Sequence, residues 1–106
     1  VRFYLGAVYE ETKAFNKALV EFKKVGKDSS FYKEAMLHSC FLLKELGKID
    51  EGLKFSKTLL EKNPTQSDFY DVHASFYEVK KDYKQAMRAV LNADAGLNER
   101  YMRLQQ

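Results

Sequence analysis

Cysteine and proline each occur once among the 106 residues, tryptophan is absent, and only five glycines are present. A lone cysteine excludes an internal disulfide framework, and no CxxC motif or Cys/His cluster offers a metal site. A single cysteine is compatible with the cytoplasm, but the sequence assigns no compartment. The longest apolar run, Cys40 to Leu43, has four residues, whereas a membrane-spanning helix needs about 20. We therefore expect a soluble protein with no membrane insertion.

The net charge and the first residues of the chain bear on its possible partners and on its domain organisation. The net charge of +3 is modest, and a dedicated nucleic-acid-binding domain is usually far more basic. Acidic residues also interrupt the lysines that could form a phosphate-binding stripe. The chain begins at Val1 without a signal-peptide pattern, which indicates a fragment of a longer protein. Its length fits one domain over 1–106.

The main signal is an internal repeat, in which equivalent positions recur three times at one constant spacing. Two columns of equivalent positions hold small residues in all three repeats: Gly6, Cys40 and Ala74, and Ala18, Gly52 and Ala86. Small side chains in such columns indicate that two backbones approach closely there. Within each period, apolar residues follow the i, i+3, i+4 rule of an amphipathic helix. The sequence therefore predicts helices at 1–12, 15–27, 31–46, 49–62, 67–80 and 83–95, and a short last helix from about 98.

Local signals predict where some of these helices begin and end. The spacings Thr65-x-x-Asp68 and Asp82-x-x-Gln85 have the form of capping boxes. Pro64 predicts the end of the fourth helix. We also expect Lys23, Lys24 and Lys27 to lie in the last turn of the second helix, where positive charge suits the helix dipole.

The repeat resembles that of the tetratricopeptide repeat family, which has a period of about 34 residues and the pattern W-x2-L-G-x2-Y, then A-x3-F, then P. Leu5-Gly6-x2-Tyr9 and Ala18-x3-Phe22 match this pattern in the first repeat, whereas the second and third repeats match it in part. The resemblance implies an all-α fold: an α-α superhelix, or right-handed solenoid, of three helix-turn-helix repeats. They would cover 1–32, 33–66 and 67–100, with 101–106 as a C-terminal cap.

The resemblance also implies a concave groove, lined by the first helix of each pair, that binds a partner's peptide. By register, the candidate groove residues are Phe3, Tyr4, Glu34, Leu37, His38, Phe41, Lys44, Asp71, Ser75 and Glu78. The family's cationic clamp for a C-terminal carboxylate has no counterpart, because its columns hold uncharged side chains, His38 and the acidic Asp68. Acidic residues outnumber basic ones on the first helices, and the reverse holds on the second helices. Complementary potential therefore predicts an apolar and basic partner segment.

Two other classes of function compete with this interpretation. Catalysis is disfavoured: Cys40 and His38 lie about 200° apart around a helix, and His73 falls in an inward-facing column, so we expect no enzyme, metal or cofactor. Self-association is the main alternative, because the truncated front of the chain and the apolar tail (Tyr101, Met102, Leu104) could pair copies end to end or as a symmetric homodimer. The sequence thus predicts a protein-interaction scaffold, with an assembly module as the alternative.

Overall fold

The computed structural model describes residues 2–91, which form helices joined by short turns. The helices are α1 (Arg2–Glu11), α2 (Phe15–Lys23), α3 (Tyr32–Glu45), α4 (Ile49–Lys62) and α5 (Ser67–Val79). A sixth helix, α6, begins at 83 and reaches 91, the last described residue. No strand occurs within 2–91, and the all-α prediction is confirmed. The end of the predicted helix 83–95, the last helix from 98 and the cap 101–106 lie outside the described residues.

The observed helix ends follow the predictions closely, with one exception. The prediction for α4 is right at both ends, and Pro64 follows shortly after its last residue. The predicted end of α2 at 27 is wrong, since the helix ends at Lys23. The amides of Lys24 and Val25 donate to carbonyls only three residues back, which tightens and closes the last turn. Of the three lysines expected in that turn, Lys23 alone lies inside the helix.

One of the two predicted capping boxes is formed in half. The amide of Gln85 donates to Asp82 Oδ1 at 3.3 Å at the start of α6. At the start of α5, however, the N-cap residue is Gln66 and no side chain caps it. Thr65 lies one residue too early, because a capping oxygen reaches the free amides only from the residue directly before the helix.

The repeat is visible in the backbone as well as in the sequence. Lys13, Gly47 and Lys81 have positive φ values of 63°, 73° and 62°, and they are equivalent positions of the three repeats. In each turn the amide of the next residue donates to the carbonyl five residues back, at 2.8–2.9 Å. This is the bond of a Schellman motif, in which a left-handed residue ends a helix. The same turn therefore joins the two helices of each repeat.

The chain forms two compact units, of which one ends at Lys48 and the other begins at Ile49. In the first unit α2 packs against α1 and α3, and in the second α4 packs against α5. The side chains with the lowest exposure include Phe22 and Leu42 in the first unit and Phe69 and Phe76 in the second. The organisation of 1–106 as one domain, with the three repeat ranges, stays a prediction.

Close helix packing accounts for the two columns of small residues. All six positions are buried. A Cβ atom added to Gly6 would lie 2.8 Å from the ring of Phe22, and one added to Gly52 would overlap the ring of Phe76. At both glycines it is an aromatic ring that occupies the space; the predicted close approach of two backbones stays a prediction.

Candidate partner-binding surfaces

The first unit has an open hollow between α1 and α3, which we call the α1/α3 hollow. It has a volume of about 400 Å³ and is lined by Glu10, Leu37, His38 and Phe41. Leu37 and Phe41 are four residues apart on α3, so their side chains lie on one face of the helix. Phe41 is 50% exposed, which leaves half of an aromatic side chain available to another molecule. The structure thus brings three of the predicted groove residues together around one cavity.

His38 is held in this hollow by a carboxylate on one side and by aromatic rings on another. Its Nδ1 lies 2.9 Å from Glu10 Oε1, which links α3 to α1. Its ring stacks on that of Phe22, with centroids 5.1 Å apart, and meets Phe3 edge-on. These contacts fix the imidazole and place the charge of Glu10 at the wall of the hollow. Glu10 was missed among the predicted site residues, although it shares a repeat column with two that were named.

Phe3 lies in a small aromatic cluster. Its ring stacks on Phe31 at 4.8 Å with an interplanar angle of 8°, and it lies 5.6 Å from the ring of Phe22. Phe31, just before α3, is itself half exposed. Both Phe3 and Phe31 line a second hollow of about 260 Å³, to which Arg2 and Lys24 also contribute. Sequence reasoning missed Phe31 because it lies outside the helical register that identified the groove.

The other predicted residues of the first unit lie away from the α1/α3 hollow. Tyr4 is exposed on α1, Glu34 is exposed in the first turn of α3, and Lys44 is half-buried in the last turn. Tyr4 shares its helix face with Val8, four residues on. A role for these three in partner binding stays a prediction.

In the second unit, Asp71, Ser75 and Glu78 follow one another along one face of α5. The two acidic residues are exposed. The Ser75 hydroxyl is half-buried and donates its hydrogen bond within α5, to the carbonyl of Val72 at 2.6 Å. Positions i, i+4 and i+7 of a helix share a side, which makes this face of α5 acidic. A part in partner binding for these residues also stays a prediction.

A Ser–His pair in the second unit resembles a catalytic arrangement but is structural. Ser56 Oγ lies 2.5 Å from His73 Nδ1, and the His73 ring meets Tyr77 edge-on at 5.1 Å. Ser56 is fully buried, so no substrate can reach its oxygen. Burial of the imidazole, and after it the charge of Lys57, lowers the pKa of His73 below its usual value. His73 is thus a hydrogen-bonded, half-buried histidine, as its inward-facing column predicts.

Cys40 is equally unsuited to nucleophilic chemistry. It is fully buried, and burial raises the pKa of the thiol to about 12. The thiolate is the reactive form of cysteine, so this thiol is inert at neutral pH. Within residues 2–91, no group of three or more His, Cys, Asp or Glu side chains is placed to hold a metal ion. No helix in that range is both long and apolar enough to cross a membrane.

The helix-pair architecture and its repeated turn define the class as an all-α helical repeat. No protein-family model and no curated protein matches the chain. Among solved structures, it is similar to MamA MSR-1, with a TM-score of 0.70 and 21% sequence identity over 94% of this chain and 57% of that chain. It is also similar to MamA AMB-1, with a TM-score of 0.66 and 20% identity over 89% of this chain and 51% of that chain.

These likenesses confirm the predicted fold class, an α-α repeat of the solenoid type. Identities of 20–21% show the fold alone. The chain spans little more than half the length of the MamA chains that it matches. Membership of the tetratricopeptide repeat family is supported by the fold and by the register of the repeat, and it stays a prediction.

Proposed function

We propose that the chain is a protein-interaction module that binds an apolar and basic peptide segment of a partner on the face formed by α1 and α3. The observation that carries the proposal is the α1/α3 hollow, in which half-exposed Phe41 and Leu37 lie beside the carboxylate of Glu10. Partner-binding sites commonly combine an exposed apolar anchor with a few polar groups that fix orientation. The helical-repeat fold supports the proposal, because solenoids present extended surfaces to their partners.

Burial of Phe41 would provide the apolar part of the binding energy. Complete burial of a phenylalanine side chain contributes about 1.5–3 kcal/mol, and half of this one is already covered. A partner side chain that covers the rest therefore gains about 1 kcal/mol from Phe41 alone. Leu37 adds to the same apolar wall, so the contact favours a Leu, Ile or Phe of the partner.

The acidic residues explain the preference for a basic partner. Glu10 lies at the hollow, and Glu34 is exposed on the same helix as Phe41. In the second unit Asp71 and Glu78 are exposed along α5. Exposed charges of one sign mainly raise the rate of encounter and reject partners of like charge. We therefore propose a partner segment that carries Lys or Arg beside its apolar residues, and no nucleic acid.

We propose no catalytic role and no cofactor. Cys40, the one thiol, and Ser56, the serine paired with a histidine, are both fully buried.

The test uses a set of fluorescent synthetic peptides that share one apolar core and differ in net charge from acidic to basic. Fluorescence anisotropy measures their binding to the parent chain, to Phe41→Asp and to Val20→Asp. Val20 is a matched control, because it is 49% exposed against 50% for Phe41 and does not line the hollow. Circular dichroism establishes that both variants keep their helices.

Basic apolar peptides should bind the parent and Val20→Asp equally, and Phe41→Asp at least about tenfold more weakly, because the substitution removes the apolar anchor and buries a charge. Glu10→Gln should reduce the preference for basic over neutral peptides. Equal binding to all variants, or a preference for acidic peptides, contradicts the proposal.

A second candidate function is assembly of the chain with copies of itself. It is favoured by three exposed apolar side chains on α1, those of Tyr4, Leu5 and Val8. A contiguous apolar patch of this kind commonly marks an interaction surface.

A further inference from the structure

Glu10 is a carboxylate that protein largely covers, yet among residues 2–91 its side-chain partner is a histidine. Its side chain is 25% exposed, and its Oε1 lies 2.9 Å from Nδ1 of His38, which carries a charge only when it is protonated. Glu21, on the neighbouring helix α2, is 16% exposed and has the guanidinium of Arg2 at 3.3 Å. Carboxylates that leave water are usually paired with a cation. The surroundings of Glu10 therefore suit an added positive charge.

The contact with His38 leaves part of this carboxylate to a ligand. A carboxylate accepts hydrogen bonds through two oxygens, and the imidazole uses Oε1. The imidazole is itself held by the ring of Phe22, with centroids 5.1 Å apart, so Glu10 is anchored to a fixed group. Its Oε2 remains to accept from a donor in the α1/α3 hollow, which Glu10 lines. Because the acceptor is already positioned, a donor binds with little loss of side-chain entropy.

The rest of the hollow suits the carbon atoms and the planar head group of an arginine. Leu37 and half-exposed Phe41 form its apolar wall, and long basic side chains bury their methylene stems on such surfaces. A guanidinium is planar and weakly hydrated, so that its face stacks on an aromatic ring while its edge donates to a carboxylate. The ammonium of lysine is a compact, strongly hydrated charge that combines these two contacts less well.

We propose that the α1/α3 hollow binds an arginine side chain of the partner segment. The stem of this arginine lies on Leu37, and its guanidinium stacks on Phe41 and donates to Oε2 of Glu10. The apolar residue beside it in the segment covers the outer part of the Phe41 ring. The inference rests on the proposed function and narrows it, because the hollow then recognises arginine and not basic charge in general.

Glu11, the residue after Glu10, separates this contact from long-range attraction. Glu11 is exposed and does not line the hollow. It carries the same charge, so it acts on a basic peptide only at a distance, where salt screens the interaction. A largely covered carboxylate is screened less and pairs more strongly with a cation. Glu11→Gln is therefore a matched control for Glu10→Gln.

The test uses three fluorescent peptides that share one apolar core and carry arginine, lysine or citrulline at one central position. Citrulline has the shape of arginine but a neutral urea group. Fluorescence anisotropy at neutral pH measures binding to the parent chain, to Glu10→Gln and to Glu11→Gln. In the parent and in Glu11→Gln, exchange of arginine for citrulline should weaken binding about tenfold, as expected for the loss of a charge-assisted hydrogen bond. In Glu10→Gln the same exchange should change binding by less than about twofold.

Phe41→Leu tests the aromatic contact. Leucine keeps an apolar wall but removes the π-system of the ring. The parent should prefer the arginine peptide to the lysine peptide by roughly three- to fivefold, and this preference should disappear in Phe41→Leu.

Proton NMR of the two histidine rings tests the site without a peptide. N-acetyl-arginine amide, added to the parent at up to about 10 mM, should shift the ring signals of His38. The ring signals of His73, which lies in the second unit, should stay in place. N-acetyl-citrulline amide at the same concentration should shift neither ring.

Three results would overturn the proposal: an exchange of arginine for citrulline that weakens binding equally in Glu10→Gln and the parent, an unchanged preference for arginine over lysine in Phe41→Leu, or an unshifted His38 with N-acetyl-arginine amide. The proposed peptide binding survives any of them if Phe41→Asp still loses the peptides. If Phe41→Asp binds the peptides like the parent, the proposed function itself fails. The two failures are therefore distinguishable.

Discussion

Replacement of Gly52 by alanine is expected to destabilise the protein, although the same change stabilises most helix interiors. Gly52 lies in the first turns of α4. Alanine is favoured over glycine by about 1 kcal/mol in a helix, and alanine occupies this column in the other two repeats, as Ala18 and Ala86. Helix propensity and repeat register both favour the substitution, so only packing can make it lower the free energy of unfolding.

Packing opposes the substitution strongly. A Cβ atom at position 52 would overlap the ring of Phe76, which is fully buried. Insertion of a methyl group into a well-packed core costs about 1–3 kcal/mol, because buried rings have little room to move. After subtraction of the gain in helix propensity, we expect a net loss of roughly 1 kcal/mol in the free energy of unfolding.

Urea denaturation followed by circular dichroism measures this loss, and a double-mutant cycle identifies its cause. Phe76→Leu destabilises the protein by itself but removes the ring edge that meets the new methyl group. In that background Gly52→Ala should become stabilising, by up to about 1 kcal/mol, because only the propensity gain remains. The reasoning is refuted if Gly52→Ala raises the urea midpoint of the parent, or if it has the same sign in both backgrounds.

Two further predictions concern a turn and a buried histidine. Lys81→Gly should raise the free energy of unfolding by about 0.5–1 kcal/mol, because φ is 62° there and a side chain is strained in the left-handed region. Gly47→Ala should lower the free energy of unfolding by a similar amount. Urea midpoints that shift in the opposite directions would contradict both expectations. The lowered pKa of His73 means that the folded state binds a proton on this imidazole less readily than the unfolded state does. The contribution of His73 to the free energy of unfolding is therefore present above the unfolded pKa of 6.5 and is lost as the pH falls below that value. Melting temperatures between about pH 8 and pH 5 should therefore fall less steeply in His73→Leu than in the parent; equal slopes would show that His73 does not titrate differently on folding.

The register of the repeat predicts the features that depend on spacing along one helix. It places the buried small columns, the start of α4 at Ile49 and the three equivalent turns. The early end of α2 was missed, because Gly26 disfavours a helix but does not forbid one as Pro64 does at the end of α4. Local propensity alone does not determine where the chain must turn to bring α3 onto α2.

Contacts between distant parts of the chain account for those features of the candidate site that the repeat register did not predict. The stacking of Phe31 on Phe3 and the bond between His38 and Glu10 each join α1 to a part of the chain beyond α2. A sequence pattern with one period shows which residues share a face, but it does not show which faces meet. The Ser56–His73 pair has the same origin, since a buried serine of α4 and a half-buried histidine of α5 meet and satisfy each other.

The proposed partner-binding surface and the packing of the helices on one another use neighbouring columns of the same helices. Phe41 lies in the hollow, whereas Leu42, the next residue, belongs to the column of Val8 and Phe76 that joins consecutive repeats. Consecutive residues point about 100° apart around a helix, so the two columns face different neighbours. This second column is apolar in all three repeats, and its Leu42 and Phe76 are fully buried. The column of Phe41 instead holds Ala7 and Ser75 in the other repeats, and this variety suits the proposed recognition of one particular partner.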